Sequence, residues 1–257
     1  TDVVKDLITF LDNVLQFFID NAPDYISRAR YSATQERSLG LGAMGLHSLY
    51  QKNRMPFDSL RARTLNEEIF KKIKEDSVEQ TKVLGKEKGE APDMKGTGKR
   101  NAHLLAIAPN ANSSMITGCS PSIEPHKANA YTHRTRAGSH LIKNRYLREE
   151  LIKLNMDTPE VWTSIITNGG SVQHLDFIND SIKEVFKTAI EIDQRVIIEQ
   201  GGDRQKYLCQ GQSLNIFFPA GASKNYLHDV HMKAWKHECK GLYYLRTETS
   251  HRAENVA

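Results

Sequence analysis

The sequence is poor in cysteine. Its three thiols, Cys119, Cys209 and Cys239, are odd in number and far apart. That pattern excludes a disulfide framework and a cysteine-based zinc site, and a reduced, cytoplasmic setting is the expectation (host cytoplasm for a phage-encoded chain). Long apolar runs are missing too: none approaches the ~20 residues that cross a bilayer. No secretory signal is visible, so nothing argues for export, and no membrane partner is expected. Charge of either sign is not in excess, with 35 Lys and Arg against 31 Asp and Glu and a net charge of +4. Such a balance suits an anionic substrate and falls short of a nucleic-acid-binding signature. There is no internal repeat and no low-complexity tract. The first residue is Thr1 rather than Met, and the expectation is a fragment, a processed product or a second half.

What remains is an ordinary globular composition, 39% hydrophobic and 26% charged over 257 residues, enough for one large domain or two small ones. Val4, Leu7, Ile8, Leu11, Val14, Leu15 and Phe18 recur at helical spacing and predict an amphipathic helix ending before Pro23. A second helical run is expected over Leu39–Tyr50, with Gly40, Gly42 and Gly45 allowing close backbone approach. Asp58 is the expected cap of a long charged helix reaching about Lys86, and Lys86–Arg100 reads as a loop. Leu104–Ala108 reads as a buried strand. Residues 120–144 have no clear period and read as a long ordered loop. Thr158-Pro159 opens a helix in the usual cap-then-proline order, and a long helix is expected over Ile182–Glu199. Ser213–Phe218, a helix capped by Ser223 and ended by Gly241, and Leu242–Leu245 then form a βαβ unit, which favours parallel pairing.

Two segments could carry chemistry. In Pro109-Asn110-Ala111-Asn112-Ser113-Ser114 a strand runs into small polar residues that open a helix. Free N–H groups at a helix start, with hydroxyls and an amide beside them, suit a phosphate. By composition alone a Ser/Asn-rich cap without a ligand is the commoner explanation. Tyr243-Tyr244 is the second segment. Adjacent strand residues point to opposite faces, so one ring is expected toward the core and one outward. Taken alone, the pair reads as structural, since aromatics are common in strands. The basic run around His133, Arg134 and Arg136 reads as a solvated or substrate-rim patch. His228, His231 and His237 lack a partner to complete a metal set, and no metal ligand is assigned. Glu191 with Asp193, and Glu149 with Glu150, form no obvious acid/base couple. Cys119 reads as a small buried residue.

Taken together these blocks resemble the C-terminal part of the large, catalytic subunit of class I ribonucleoside-diphosphate reductases. Arg37–Leu46, Arg100–Pro109 with Asn112–Pro125, Asp203–Asn215 and Gly241–Thr247 occur in that family's order and cover nearly the whole chain. The resemblance implies an α/β fold, the C-terminal portion of a ten-stranded α/β barrel. Residues 1–257 would be a single incomplete catalytic-barrel domain, with 1–100 mainly helical and 101–257 holding the phosphate turn and the final βαβ unit. It implies that Asn110, Ala111, Asn112, Ser113 and Ser114 hold the substrate diphosphate. Tyr243 would lie next to a barrel thiol, and Tyr244 would relay a radical from a separate small subunit. That small subunit carries the metal. No cofactor is bound directly, and a thioredoxin- or glutaredoxin-type protein supplies reducing electrons.

The family's Asn-x-Cys-x-Glu motif, which carries the thiyl cysteine, is absent, so none of the three cysteines takes a radical or redox role. The expectation is a chain inactive alone. It needs an N-terminal half of the large subunit, the small subunit and a ribonucleoside diphosphate, but no membrane and no nucleic acid. A split gene, intein removal and a truncated record account equally for Thr1. The alternative function is a non-catalytic assembly or regulatory remnant. A basic nucleic-acid-binding domain is the third reading, which mild charge disfavours.

Overall fold

The computed structural model describes residues 2–136 and 138–248. Helix α1 (Val3–Asn21) turns Ile8, Leu11 and Leu15 inward and lies along α4 (Leu60–Lys88). Between them come α2 (Ser27–Glu36) and the short α3 (Leu46–Lys52). The α1 face also buries a carboxylate. Asp12 is fully enclosed and accepts hydrogen bonds from Arg37 Nε at 3.0 Å, Arg100 Nε at 2.8 Å and Asn101 Nδ2 at 3.0 Å. Burial pushes the Asp12 carboxyl up. Hydrogen bonds from Arg100 and Asn101, with the Arg37 and Arg100 charges, outweigh burial and hold it below its ordinary value. This hub ties α1 to both loops that lead into the sheet.

The sheet is a row of parallel extended segments in chain order. Leu41 bridges Leu105, and Ile107 bridges Gln212. β3 (Ile216–Phe218) then pairs with β4 (Leu245–Thr247), Ile216 standing opposite Leu245. Helix α9 (Gln194–Gln205) precedes β3, and α10 (Lys224–Lys236) crosses from β3 to β4. Burial on both faces explains the unbroken apolar runs Leu104-Leu105 and Ile216-Phe217-Phe218. The main core packs Phe57, Phe70, Leu105, Ile198, Leu214 and Phe218 between sheet and helices.

Between the second and third segments the chain makes a long excursion. It holds α5 (Ala111–Thr117), a hairpin of β1 (Ala130–Thr135) and β2 (Gly138–Lys143), and helices α6 (Arg145–Lys153), α7 (Pro159–Thr167) and α8 (Asp180–Val185). These close around a second cluster centred on Trp162, Leu147, Leu151, Ile165 and Phe186.

The expected caps at Thr158 and Ser223 are present. Thr158 Oγ1 accepts from Val161 N–H, and Ser223 Oγ accepts from Tyr226 N–H. The βαβ unit with parallel strands is also present. Several other expectations need correction. Leu39–Tyr50 is not one helix: the chain is extended through Leu41, and only Leu46–Lys52 is helical. A Cβ on Gly42 would lie 2.4 Å from the Ala106 carbonyl oxygen, so the glycines serve strand-to-strand approach.

Residues 120–144 contain the hairpin, whose strands are exposed over most of their length and so leave no apolar alternation to read. Ile182–Glu199 is broken between α8 and α9, where Ala189 N–H bonds His126 O and Asp193 caps α9. Ser59, not Asp58, caps α4. Helix α10 ends at His237, with Glu238 at φ 56°, ahead of Gly241. Helix α2 lacks buried residues and gave no periodic signal.

Candidate functional site

The second extended segment runs out at Pro109, and α5 starts two residues later. Small residues there leave the backbone open. The N–H groups of Ala111, Asn112 and Ser113 begin the helix and have no acceptor among the described residues. Asn110 does not cap the helix with its side chain. Asn112 and Ser113 are exposed, whereas Ser114 is buried and its hydroxyl donates to Ala111 O at 3.0 Å. The turn therefore offers three free N–H donors and two exposed polar side chains, while the Ser114 hydroxyl is taken up inside the helix. At the other end of α5 the Arg145 guanidinium donates to Gly118 O and Thr117 O, a favourable place for positive charge.

The tyrosine pair corrects the expectation of opposite faces. β4 begins only at Leu245, so Tyr243 and Tyr244 precede the regular pleat. Their ring centroids are 4.1 Å apart and the rings are tilted by 51°. Tyr243 Oη donates to Tyr244 Oη over 3.3 Å, a long contact. Both residues are about half exposed, 46% and 51%. The hydrogen bond to Tyr244 raises the Tyr243 phenol above its ordinary value. The Arg246 guanidinium sits 5.0 Å from the Tyr244 ring centroid.

Register brings turn and tyrosines to one level. Ile107 stands beside Gln212, and Ile216 beside Leu245. Continuing both pairings aligns Pro109, Leu214 and Tyr243, in agreement with the bond from Tyr243 N–H to Leu214 O at 2.9 Å. Two strand spacings, on the order of 10 Å, then separate the start of the turn from the pair.

Asn215 joins the tyrosine pair to Glu124. Its Oδ1 accepts from Tyr244 N–H at 2.9 Å, and its Nδ2 donates to Glu124 Oε1 at 2.5 Å. Glu124 is buried, and burial raises its carboxyl above the ordinary value, while the Lys127 charge and the Asn215 bond pull the other way. Asn215, Glu124 and Arg246 lie inside the sequence blocks but carry no local signal of a role. Their signal is spatial, since Glu124 and Asn215 are 91 residues apart.

The other candidates separate. Glu191 accepts from Ser171 Oγ and from Thr188, and Asp193 caps α9. Glu150 pairs with Arg54 and Lys153. His133, Arg134 and Arg136 lie on the exposed hairpin. Among the described residues no group of three His, Cys, Asp or Glu could hold a metal ion, and no helix is long and apolar enough to cross a membrane. Cys119 is half-buried rather than buried, with Sγ 3.1 Å from Thr117 Oγ1. Cys209 Sγ takes the N–H groups of Leu104 and Leu105, each at 3.0 Å.

Comparison with known proteins places this arrangement. Residues 1–98 and 92–245 match the model of the ribonucleotide reductase barrel domain. A putative ribonucleoside-diphosphate reductase large subunit of Frog virus 3 is 57% identical over 250 residues, 96% of this chain and 44% of that protein. The large subunit of Invertebrate iridescent virus 6 is 45% identical over 99% of this chain and 27% of its own length. Among solved structures, the class Id ribonucleotide reductase alpha subunit of Actinobacillus ureae superposes with a TM-score of 0.91 at 40% identity. That match covers 97% of this chain and 46% of the other. The chain spans less than half the length of these relatives. Its parallel segments and intervening helices are a portion of their α/β barrel, and the chain belongs to the ribonucleotide reductase barrel-domain family.

Proposed function

We propose that the chain is the radical-receiving part of a ribonucleoside-diphosphate reductase large subunit, reducing ribonucleotides to 2′-deoxyribonucleotides for DNA synthesis. The observation that carries this reading is the contact between the Tyr243 and Tyr244 hydroxyls, 3.3 Å apart, at the sheet level of the α5 turn. A radical hop between phenols removes an electron and a proton from one and returns them to the other. Oxygens close together let the proton follow the electron. Half exposure of both rings leaves one side open to a docking small subunit, the metal-containing source of the radical.

The turn at Asn110–Ser114 holds the substrate diphosphate through the free N–H groups of Ala111, Asn112 and Ser113, with Asn112 and Ser113 side chains beside them. Ser114 contributes by fixing the helix. The cysteine whose thiyl radical abstracts the ribose 3′-hydrogen comes from an N-terminal part of the large subunit, and a thioredoxin- or glutaredoxin-type protein renews the electrons. The 257 residues act as one incomplete barrel domain, inactive alone, in a cytoplasmic setting.

The test is ribonucleoside diphosphate reduction by this chain, alone and with a matched N-terminal half, with small subunit and dithiol reductant present. Activity in the mixture only is expected. A formed complex that stays inactive would replace this reading with that of a non-catalytic remnant.

A further inference from the structure

A cavity of about 530 Å³ lies between α5, the β1–β2 hairpin and the start of α6. It adjoins the phosphate turn and shares Ala111 and Ser114 with it. Helix α5 lines it with Ala111, Ser114 and Met115, followed by its cap Gly118, whereas Asn112 and Ser113 stay outside. The walls are largely apolar and aromatic, from Tyr131, Ile142 and Tyr146. The volume is that of a small-molecule site.

Its rim has one sign of charge. Residues 125–148 hold six Lys or Arg and no Asp or Glu, and three of these cations, Lys127, Lys143 and Arg145, line the cavity. Lys143 Nζ lies 4.8 Å from the Trp162 ring centroid, and Lys127 Nζ 5.8 Å from that of Phe217. Arg145 is held by the α5 carbonyls. None of the three has a carboxylate within ion-pair distance among the described residues; Arg148, pointing elsewhere, pairs with Asp157. Glu124 acts on Lys127 only from farther off, as Asp157 does on Lys143. His126 and Ser48 on the floor are already bonded to each other at 3.2 Å. Cations without a direct ion-pair partner around an aromatic-walled cavity are complementary to one kind of molecule.

We propose that this cavity binds an aromatic organic anion, its ring against Tyr131, Ile142 and Tyr146 and its acidic group among Lys127, Lys143 and Arg145. The site goes beyond the reductase reading and does not depend on it. Because α5 forms one wall, an occupant also braces the helix that begins with the phosphate turn.

Cys119 lines the same cavity and reports on it. The test titrates 8-anilinonaphthalene-1-sulfonate into the intact polypeptide carrying this chain and follows alkylation of each cysteine by iodoacetamide with peptide mass spectrometry. Saturable protection of Cys119 is expected, with Cys209 and Cys239 unaffected. In Lys127→Gln/Lys143→Gln the midpoint should rise about tenfold. Neutral N-phenyl-1-naphthylamine should protect at least about tenfold less well.

Inorganic pyrophosphate, a ligand for the turn, should leave protection in place. Competition by ATP and by salicylate separates a nucleotide from an aromatic carboxylate as the natural source. Three results would each overturn the proposal: no protection, a midpoint unchanged in the double variant, or displacement by pyrophosphate. If Cys119 proves unreactive without ligand, equilibrium dialysis replaces alkylation. Met115→Trp, which fills the cavity, should then lose one bound equivalent, and unchanged stoichiometry would equally sink the idea.

Discussion

Replacing Asn215 by Leu keeps the branched shape and heavy-atom count of the side chain and removes both hydrogen bonds that join Glu124 to the Tyr244 backbone. The Tyr244 N–H is part-buried and loses about 1 kcal/mol; the bond to the Glu124 carboxylate is charge-assisted and contributes about 1.5–3 kcal/mol. The sum is about 2.5–4 kcal/mol when Glu124 is ionised. It shrinks when Glu124 is protonated, and burial already favours that form.

The sign follows from linkage. A carboxyl raised in the folded state stabilises below its unfolded value and loses that contribution as pH rises through the folded value. The Asn215 bond opposes the rise, so the Leu variant should lose more at pH 8 than at pH 5. In thermal melts of the intact polypeptide the midpoint should fall about 5–12 °C at pH 8 and clearly less at pH 5. Asn168→Leu, at an exposed position whose amide bonds only Ser164 O, should stay within about 0.5 kcal/mol. In the assembled reductase the Asn215 variant should also lose turnover, on the order of tenfold to a hundredfold, as Tyr244 is released from its place. A pH-independent loss, or none, would refute the assigned link.

Tyr243→Phe should abolish turnover in the assembled enzyme while diphosphate binding by equilibrium dialysis is retained, since the ring remains but cannot form a phenoxyl radical; normal turnover would remove the radical assignment. Asp12→Ala leaves the Arg37 and Arg100 guanidinium groups buried without their carboxylate and should destabilise by about 3–5 kcal/mol in urea titrations. Because the folded Asp12 carboxyl is depressed, its contribution should be present above the unfolded value of 3.8 and fade as pH falls through the folded one. Isolated, the chain should self-associate through the exposed α1 stripe of Val3, Phe10, Val14 and Phe17. In sedimentation runs Phe10→Lys/Phe17→Lys should shift it toward monomer, and a wild-type chain that is already monodisperse would count against that surface.

Elements with a local cause were legible in the sequence. The caps at Thr158 and Ser223, the apolar face of α1 and the final βαβ unit follow from side chains a few residues apart. Features set by distant partners were not. Gly42 reads as a helix residue until Ala106 is seen against it, and the α8–α9 break depends on His126 reaching Ala189. The hairpin lacks a buried face and so lacks a pattern. At the site, the turn and the tyrosines were found as family blocks, with composition alone pointing to ordinary structural roles. Their shared level and the Asn215 link arise from strand register, which no local window contains.

The excursion from α5 to α8 has a further consequence. It leaves the sheet after Pro109 and returns before β3, closing around its own cluster at Trp162. The entropy of closing such a loop grows only with the logarithm of its length, about 0.6 kcal/mol per doubling. Segments could be gained or trimmed there with little effect on how Pro109, Leu214 and Tyr243 line up. The excursion is where this fold can change its surface and keep those three segments in register.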